Sequence, residues 1–340
     1  MTRRVTIAQV AAEAGVSAMT VSNVVNGRSG ASEQTRRRVL KVAERLGYVP
    51  NLAGRSLKSG RTGLIGVLTL DLTTQYALEI VRGISDELAE AEYEVLISAS
   101  YQDATREQER VARLVVGVAD GVVLVAPRLE DSTLDLLRSA TCPVIVVDPR
   151  RFQVDLPRIV VDNYGGMRQA TDHLLSLGHE RIAYLGGDPD FDSSASRRQG
   201  FLDSMRLAGK PVDETLLREC DFTYQAGLRA AREVLAAGPT AIVAGADLIA
   251  VGAVDAVRAA GGNVPSDVSV VGFDDLPRAA ESFPSLTTVR QPLHDMGQLA
   301  IRHLMNRIDG RPGLPELMTL PTELIVRGST APPAGRPSQR

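Results

Sequence analysis

The sequence predicts an α/β protein in two parts, an all-helical N-terminal head and a two-lobed body of doubly wound parallel sheets. Three observations carry this. Near residue 62 the apolar spacing changes from helical periodicity to near-continuous Val/Ile/Leu runs. Those runs recur seven times with amphipathic stretches between them. The charge is also divided: residues 1–61 hold eleven Lys/Arg against three Asp/Glu, a net of +8, which leaves −11 for the rest of a 340-residue chain totalling −3. That length exceeds one small domain, and 44% hydrophobic with 23% charged residues is ordinary globular composition with material for large cores.

The head reads as three short helices. Thr6 can cap the first, where Ile7, Val10, Ala11 and Ala14 form an apolar stripe at helical spacing. Gly15 supplies a turn anchored by Val16. Ser17 caps a second helix reaching about Asn26, with Val21, Val24 and Val25 inward and Ala18, Met19, Thr20, Ser22 and Asn23 on its other faces. A third helix starts near Ser32, turns Val39, Ala43 and Leu46 inward and its basic run outward, and ends at Gly47. Tyr48-Val49-Pro50-Asn51 stops that helix. Asn51 can cap one or two further turns, but Gly54 disfavours helix there by about 1 kcal/mol relative to alanine, so residues 51–61 read as a hinge. A basic head on an acidic body suits a polyanionic partner.

In the body the apolar runs are 64–70, 93–100, 121–127, 143–148, 181–187, 240–247 and 268–274, with helical stretches such as 76–91, 164–177 and 224–237 between them. Parallel strands buried on both faces require such runs, and the alternation implies α/β layers. Seven or more units divide naturally into two lobes. Ligands in such sheets bind outside the carboxyl ends of strands, which draws attention to Asp71, Asp148, Asp188, Asp247 and Asp274.

Several function classes find no support. Cys142 and Cys220 match no metal or redox spacing, and His173, His179, His294 and His303 lack ligand spacing. Gly186-Gly187 reads as a strand-end turn without dinucleotide or Walker spacing, and no serine sits in a G-x-S-x-G elbow. No enzyme activity, catalytic residue, cofactor or metal is expected. MTRRVTIAQV has no signal-length apolar run behind its arginines, and no stretch approaches the roughly 20 apolar residues of a membrane span. A cytoplasmic protein, nucleoid-associated when on DNA, is the expectation. The Pro/Gly/Arg-rich tail at 332–340 reads as disordered, and no terminal heptad supports an appended tetramer-forming helix.

TIAQVAAEAGVSAMTVSNVVNG, YVPNLAGRSLKSGRTGLIGV, LGHERIAYLGG, VVGFDD, TTVRQP and LPTELIVRGST occur here in the order in which they occur in the lactose/galactose-repressor (LacI/GalR) family, and from Val5 to about Pro333 the chain resembles it. The resemblance implies a helix-turn-helix DNA-binding domain at 1–50, a hinge helix at 51–61 and, at 62–331, a two-lobed, periplasmic-binding-protein-like domain for effector binding and dimerisation. It implies a homodimer that reads double-stranded operator DNA of pseudo-palindromic sequence, with a small-molecule effector, sugar-like by default, between the lobes. The alternative is a periplasmic-type binding protein without DNA function; a regulator that has lost effector control is a third possibility.

The family's base-reading positions map onto Ala18, Met19, Ser22 and Asn23, and its phosphate-positioning groups onto Thr6, Ser17, Thr20, Asn26, Asn51 and Lys58. Leu57 matches the residue that wedges open the central base step. Asn23 stands where arginine is common, and asparagine pairs bidentately with adenine N6/N7. In the sensor, Arg197 and Asp274 match the principal ligand-bonding pair, Asp148, Ser193 and Asp247 further polar contacts, and Tyr76 and Phe222 stacking walls. Ala246, Val125 and Thr74-Gln75-Tyr76-Ala77 depart from the family pattern and remove hydrogen bonds a hexose would use.

Overall fold

A computed structural model describes residues 5–25, 29–48, 61–91, 93–151 and 154–334. The chain forms two compact units, Met1–Thr62 and Gly63–Arg340.

In the first unit, α1 spans Ile7–Ala14, α2 Ala18–Val25 and α3 Glu33–Leu46. Thr6 closes a capping box: the Gln9 amide donates to its hydroxyl at 3.4 Å, and the Thr6 amide donates to Gln9 Oε1 at 2.8 Å. Gly15, at φ 64°, takes the left-handed turn that frees the chain from α1 shortly before α2 starts. Ser17 Oγ accepts from the Thr20 amide at 3.1 Å, and Ser32 caps α3. Val10, Ala14, Val21, Val24, Val39, Val42 and Ala43 form the core, against which Leu46 packs half-buried.

The second unit holds two six-stranded sheets. The first lobe contains β1 (Leu64–Thr69), β2 (Glu94–Ala99), β3 (Gly121–Val125), β4 (Val144–Val147) and β5 (Arg158–Val161), together with the late strand β11 (Leu317–Leu320). Its order is β11-β5-β4-β3-β1-β2, all parallel. The second lobe contains β6 (Ile182–Gly186), β7 (Leu217–Glu219), β8 (Ala241–Ala244), β9 (Ser269–Asp274), β10 (Thr287–Arg290) and β12 (Glu323–Ile325). Its order is β12-β10-β9-β8-β6-β7, with only β12 antiparallel among its pairings. All seven anticipated runs are strands. The short strands β5, β7, β10, β11 and β12 were not anticipated.

The central strands of each sheet are buried on both faces. In the first lobe, Ile65, Val67, Val123 and Ile145 pack on one side against Met296, Ala300 and Leu304, while Leu68, Val122 and Leu124 pack on the other against Val111 and Leu114. In the second, Ala183, Ile242 and Val270 meet Ala250 and Ala253 on one face, and Tyr184, Val243 and Val271 meet Met167, Ala170 and Phe201 on the other. The chain passes between lobes three times: from β5 into the helix Asn163–Ser176, from β10 into the helix Leu293–Ile308, and from β11 to β12. The first and third passages are tied together. The Asp162 amide donates to the Leu320 carbonyl at 2.9 Å, and Thr322 Oγ1 donates to the Asp162 carbonyl at 3.1 Å.

Candidate functional site

Both sheets change winding direction beside their first strand, β1 lying between β2 and β3, and β6 between β7 and β8. A doubly wound sheet leaves a crevice at the carboxyl ends of strands at that point, and here the two crevices face one another. They enclose a cavity of about 110 Å3. The first lobe contributes Leu70, Thr74 and Tyr76 after β1, Ala126 after β3 and Asp148 after β4; the second contributes Phe191, Ser193 and Arg197 after β6, Phe222 after β7, Ala246 and Leu248 after β8, and Asp274 and Leu276 at and beyond the end of β9.

Six of the seven anticipated effector residues, Tyr76, Asp148, Ser193, Arg197, Phe222 and Asp274, therefore share one cavity. Asp247 does not line it. One of its carboxylate oxygens accepts from Thr288 Oγ1 at 2.5 Å and the other from the Leu276 amide at 2.8 Å, with 1% of the residue exposed. Its contact expected from the resemblance is thus corrected to a brace for the turn after β9. Burial, and then the Asp274 charge, hold its carboxyl well above the usual carboxylate range. Val125, flagged for its departure from the family pattern, is buried in the first lobe's core rather than on the wall.

The polar groups of the cavity are closely interlocked. Arg197 is buried, donates from Nε to Asn163 Oδ1 at 2.8 Å and from Nη1 to the Gly245 carbonyl at 2.5 Å, and lies 3.9 Å above the Phe273 ring centroid. Tyr76 donates to Asp148 Oδ2 at 2.7 Å, leaving Asp148 Oδ1 a buried acceptor without a partner among the described residues. Gln291 Nε2 donates to Asp274 Oδ1 at 2.6 Å. Burial raises the Asp148 carboxyl despite the Tyr76 bond and the Arg197 charge. It raises Asp274 to about 6, with Arg197 pulling the other way. Ala126, Asp148 and Asp274 have φ of 49°, 48° and 125°. Such backbone strain in non-glycine residues collects at ligand sites.

Phe191 and Phe222 meet edge-to-face at 5.6 Å. With Tyr76 they give the cavity aromatic walls, and Leu70, Leu248 and Leu276 extend its apolar lining. A molecule suited to this cleft offers hydrogen-bond donors to buried carboxylates and an apolar face to rings. Sequence reasoning missed Phe191, Leu70, Leu248, Leu276 and the supports Asn163 and Gln291. The strand-end rule reaches the first four; the last two sit at lobe passages, which leave no local signature.

In the head, Thr6 and Ser17 sit at the starts of α1 and α2, Ala18 and Met19 are exposed, Met19 by 56%, and Thr20, Ser22 and Asn23 are half-buried on α2. Arg36, Arg37, Arg38, Lys41 and Arg45 follow along α3. Asn26, Asn51, Leu57 and Lys58 lie outside the described residues, as does the anticipated hinge at 51–61 apart from Arg61. Among the described residues no helix is long and apolar enough to cross a membrane.

Residues 6–51 match bacterial regulatory proteins of the lacI family, and 171–330 match a periplasmic binding protein-like domain. The HTH-type transcriptional regulator CelR of Thermobifida fusca is 36% identical over 342 residues, covering 96% of this chain and 98% of that protein. The chain belongs to the LacI family. It is a helix-turn-helix transcription regulator with a periplasmic-binding-protein-like sensor. Two solved structures place this LacI-family regulator further. A transcriptional regulator CelR–cellobiose complex superimposes with a TM-score of 0.74 at 34% identity, covering 96% of this chain and all of that one. A Lac repressor dimer bound to operator and the anti-inducer ONPF superimposes at 0.86 and 29% identity, covering 97% and 100%.

Proposed function

We propose that this regulator represses transcription as a cytoplasmic homodimer on a pseudo-palindromic operator, and that a neutral sugar or sugar-like effector in the cleft controls it. The single observation carrying the effector reading is the convergence, at strand ends of both lobes, of Asp148, Asp274 and Arg197 between aromatic walls. Carboxylates accept from vicinal hydroxyls, the guanidinium donates to ring or hydroxyl oxygens, and Phe222 and Tyr76 meet the ring's apolar face. The family likeness supports it: the solved relatives include a CelR–cellobiose complex and a Lac repressor dimer bound to operator. Binding, not catalysis, is the role. A periplasmic-type binding protein is disfavoured by the basic helical head.

On DNA, α2 enters the major groove. Ala18, Met19, Ser22 and Asn23 read bases while Thr6, Ser17, Thr20 and Asn26 position phosphates; Asn51, Leu57 and Lys58 act at the minor groove. Effector binding shifts lobe spacing and thereby operator affinity, with coupling of about 1–3 kcal/mol. The test is selection of operator from a random DNA pool, followed by calorimetric titration of the protein–operator pair with a panel of neutral mono- and disaccharides. One short palindrome and one saccharide that changes operator affinity establish the reading; a saccharide-blind protein removes the effector half of it. Asn23→Arg is expected to change the selected half-site from adenine to guanine at one position. An unchanged half-site removes Asn23 as a base reader.

Effector affinity is expected to depend on pH. Asp274 is raised to about 6, and the ligand bonds its ionised form, so binding expels a proton wherever the free site is protonated. Affinity is flat above about pH 7 and falls below about pH 6 by up to about tenfold per unit. Asp274→Asn is expected to flatten this profile while weakening binding throughout.

A further inference from the structure

We propose that Arg150 is a positioning residue that ties the two lobes together at the mouth of the cleft and fixes the aromatic wall inside it. Arg150 follows β4 in the first lobe, whereas Asp188, Asp190 and Phe191, which its side chain meets, all follow β6 in the second. Its Nη2 donates to Asp188 at 2.6 Å and reaches Asp190 at 3.3 Å. Its carbonyl accepts from the Asp192 amide at 2.8 Å. Its guanidinium lies 4.5 Å from the centroid of Phe191, the ring that faces Phe222 in the cavity.

These contacts are more than a surface pair. The Arg150 side chain is 9% exposed and Asp188 21%, so the charges are withdrawn from solvent and interact more strongly than an exposed ion pair. The planar guanidinium serves carboxylate and aromatic face together, which an ammonium does less well. Arg150 also forms part of an outer cavity of about 460 Å3, with Arg128, Glu130, Arg151 and Asp190. Phe191 lines the inner cavity, so the Arg150–Phe191 stack joins a side chain of the outer cavity to one of the inner.

The inference rests on the cleft being the sensor site, and its test uses neither effector nor DNA, so its failure leaves that reading standing. The full-length protein is compared with Arg150→Met, which keeps stem length and removes the charge, by small-angle X-ray scattering and hydrogen exchange. Arg150→Met is expected to shift the pair-distance distribution to longer distances, and to raise exchange in a peptide spanning residues 187–195 by about tenfold or more, as for a local opening. Arg150→Lys is expected to restore part of both. Should Arg150→Met fail to fold, Asp188→Asn makes the same test with the arginine and its ring contact in place. A distribution superimposing on the wild-type one overturns the proposal even if exchange rises, because the contact then orders only its own loop.

Discussion

Replacing Arg197 by methionine is expected to weaken effector binding by at least about 100-fold and to lower the stability of the sensor by about 3–5 kcal/mol. Two losses combine. The Asn163 amide oxygen and the Gly245 carbonyl lose their charged donor, and Asp148 and Asp274 lose the cation that lowers both their pKa values. Methionine fills the space over Phe273 but satisfies none of these groups, so a buried network is left half-made. The Asp274 carboxyl then rises further, and the pH below which binding weakens moves up with it. Lysine keeps the charge without the fork that bonds Asn163 and Gly245 together, so its defect is intermediate. Calorimetric titration and thermal unfolding check both parts; methionine binding within about threefold of the wild type would remove Arg197 from the ligand's contacts.

Gly83→Ala is expected to be the largest purely structural lesion. Gly83 lies in the helix Gln75–Leu88, which crosses the helix Leu293–Ile308 backbone to backbone. A Cβ at Gly83 would lie 2.0 Å from the His294 carbonyl oxygen, and one at Gly297 would lie 2.1 Å from that of Ile80. Neither obstacle is a side chain that can swing aside, so the helices must separate and lift Met296, Ala300 and Leu304 from the sheet. Overpacking of this kind costs about 3 kcal/mol, a fall in melting temperature of roughly 5 °C for a unit of this size. Differential scanning calorimetry reads it directly. A melting temperature within about 2 °C of the wild type would show that the two helices have slack.

The central strands were legible because burial on both faces forces unbroken apolar runs, as in GVVLV at 121–125. The strand Leu217–Glu219 has three residues, none fully buried, and Leu317–Leu320 alternates exposed and half-buried positions at a sheet edge, so neither needs such a run. The lobe to which a late strand belongs was not legible. Leu317–Leu320 returns to pair with Arg158–Val161 after most of the second lobe has intervened, and no local pattern records that. The cavity residues were found largely by resemblance, and position after a strand supports them. Asp247 shows where that rule fails. It follows β8, but its acceptors turn toward Thr288 and Leu276, partners that lie 41 and 29 residues away.

The three passages between the lobes have a mechanical consequence. A single tether would let one lobe swivel freely, and the two-state behaviour of a sensor would be lost in a continuum of poses. Three tethers, the first and third stitched by the Asp162–Leu320 and Thr322–Asp162 hydrogen bonds and the second and third paired where Arg290 lies opposite Glu323, act as a door hinge. They bend together about one axis, whereas twisting or sliding would stretch at least one of them. A molecule filling the cleft therefore has one coordinate to push on, the opening and closing of the lobes about that axis.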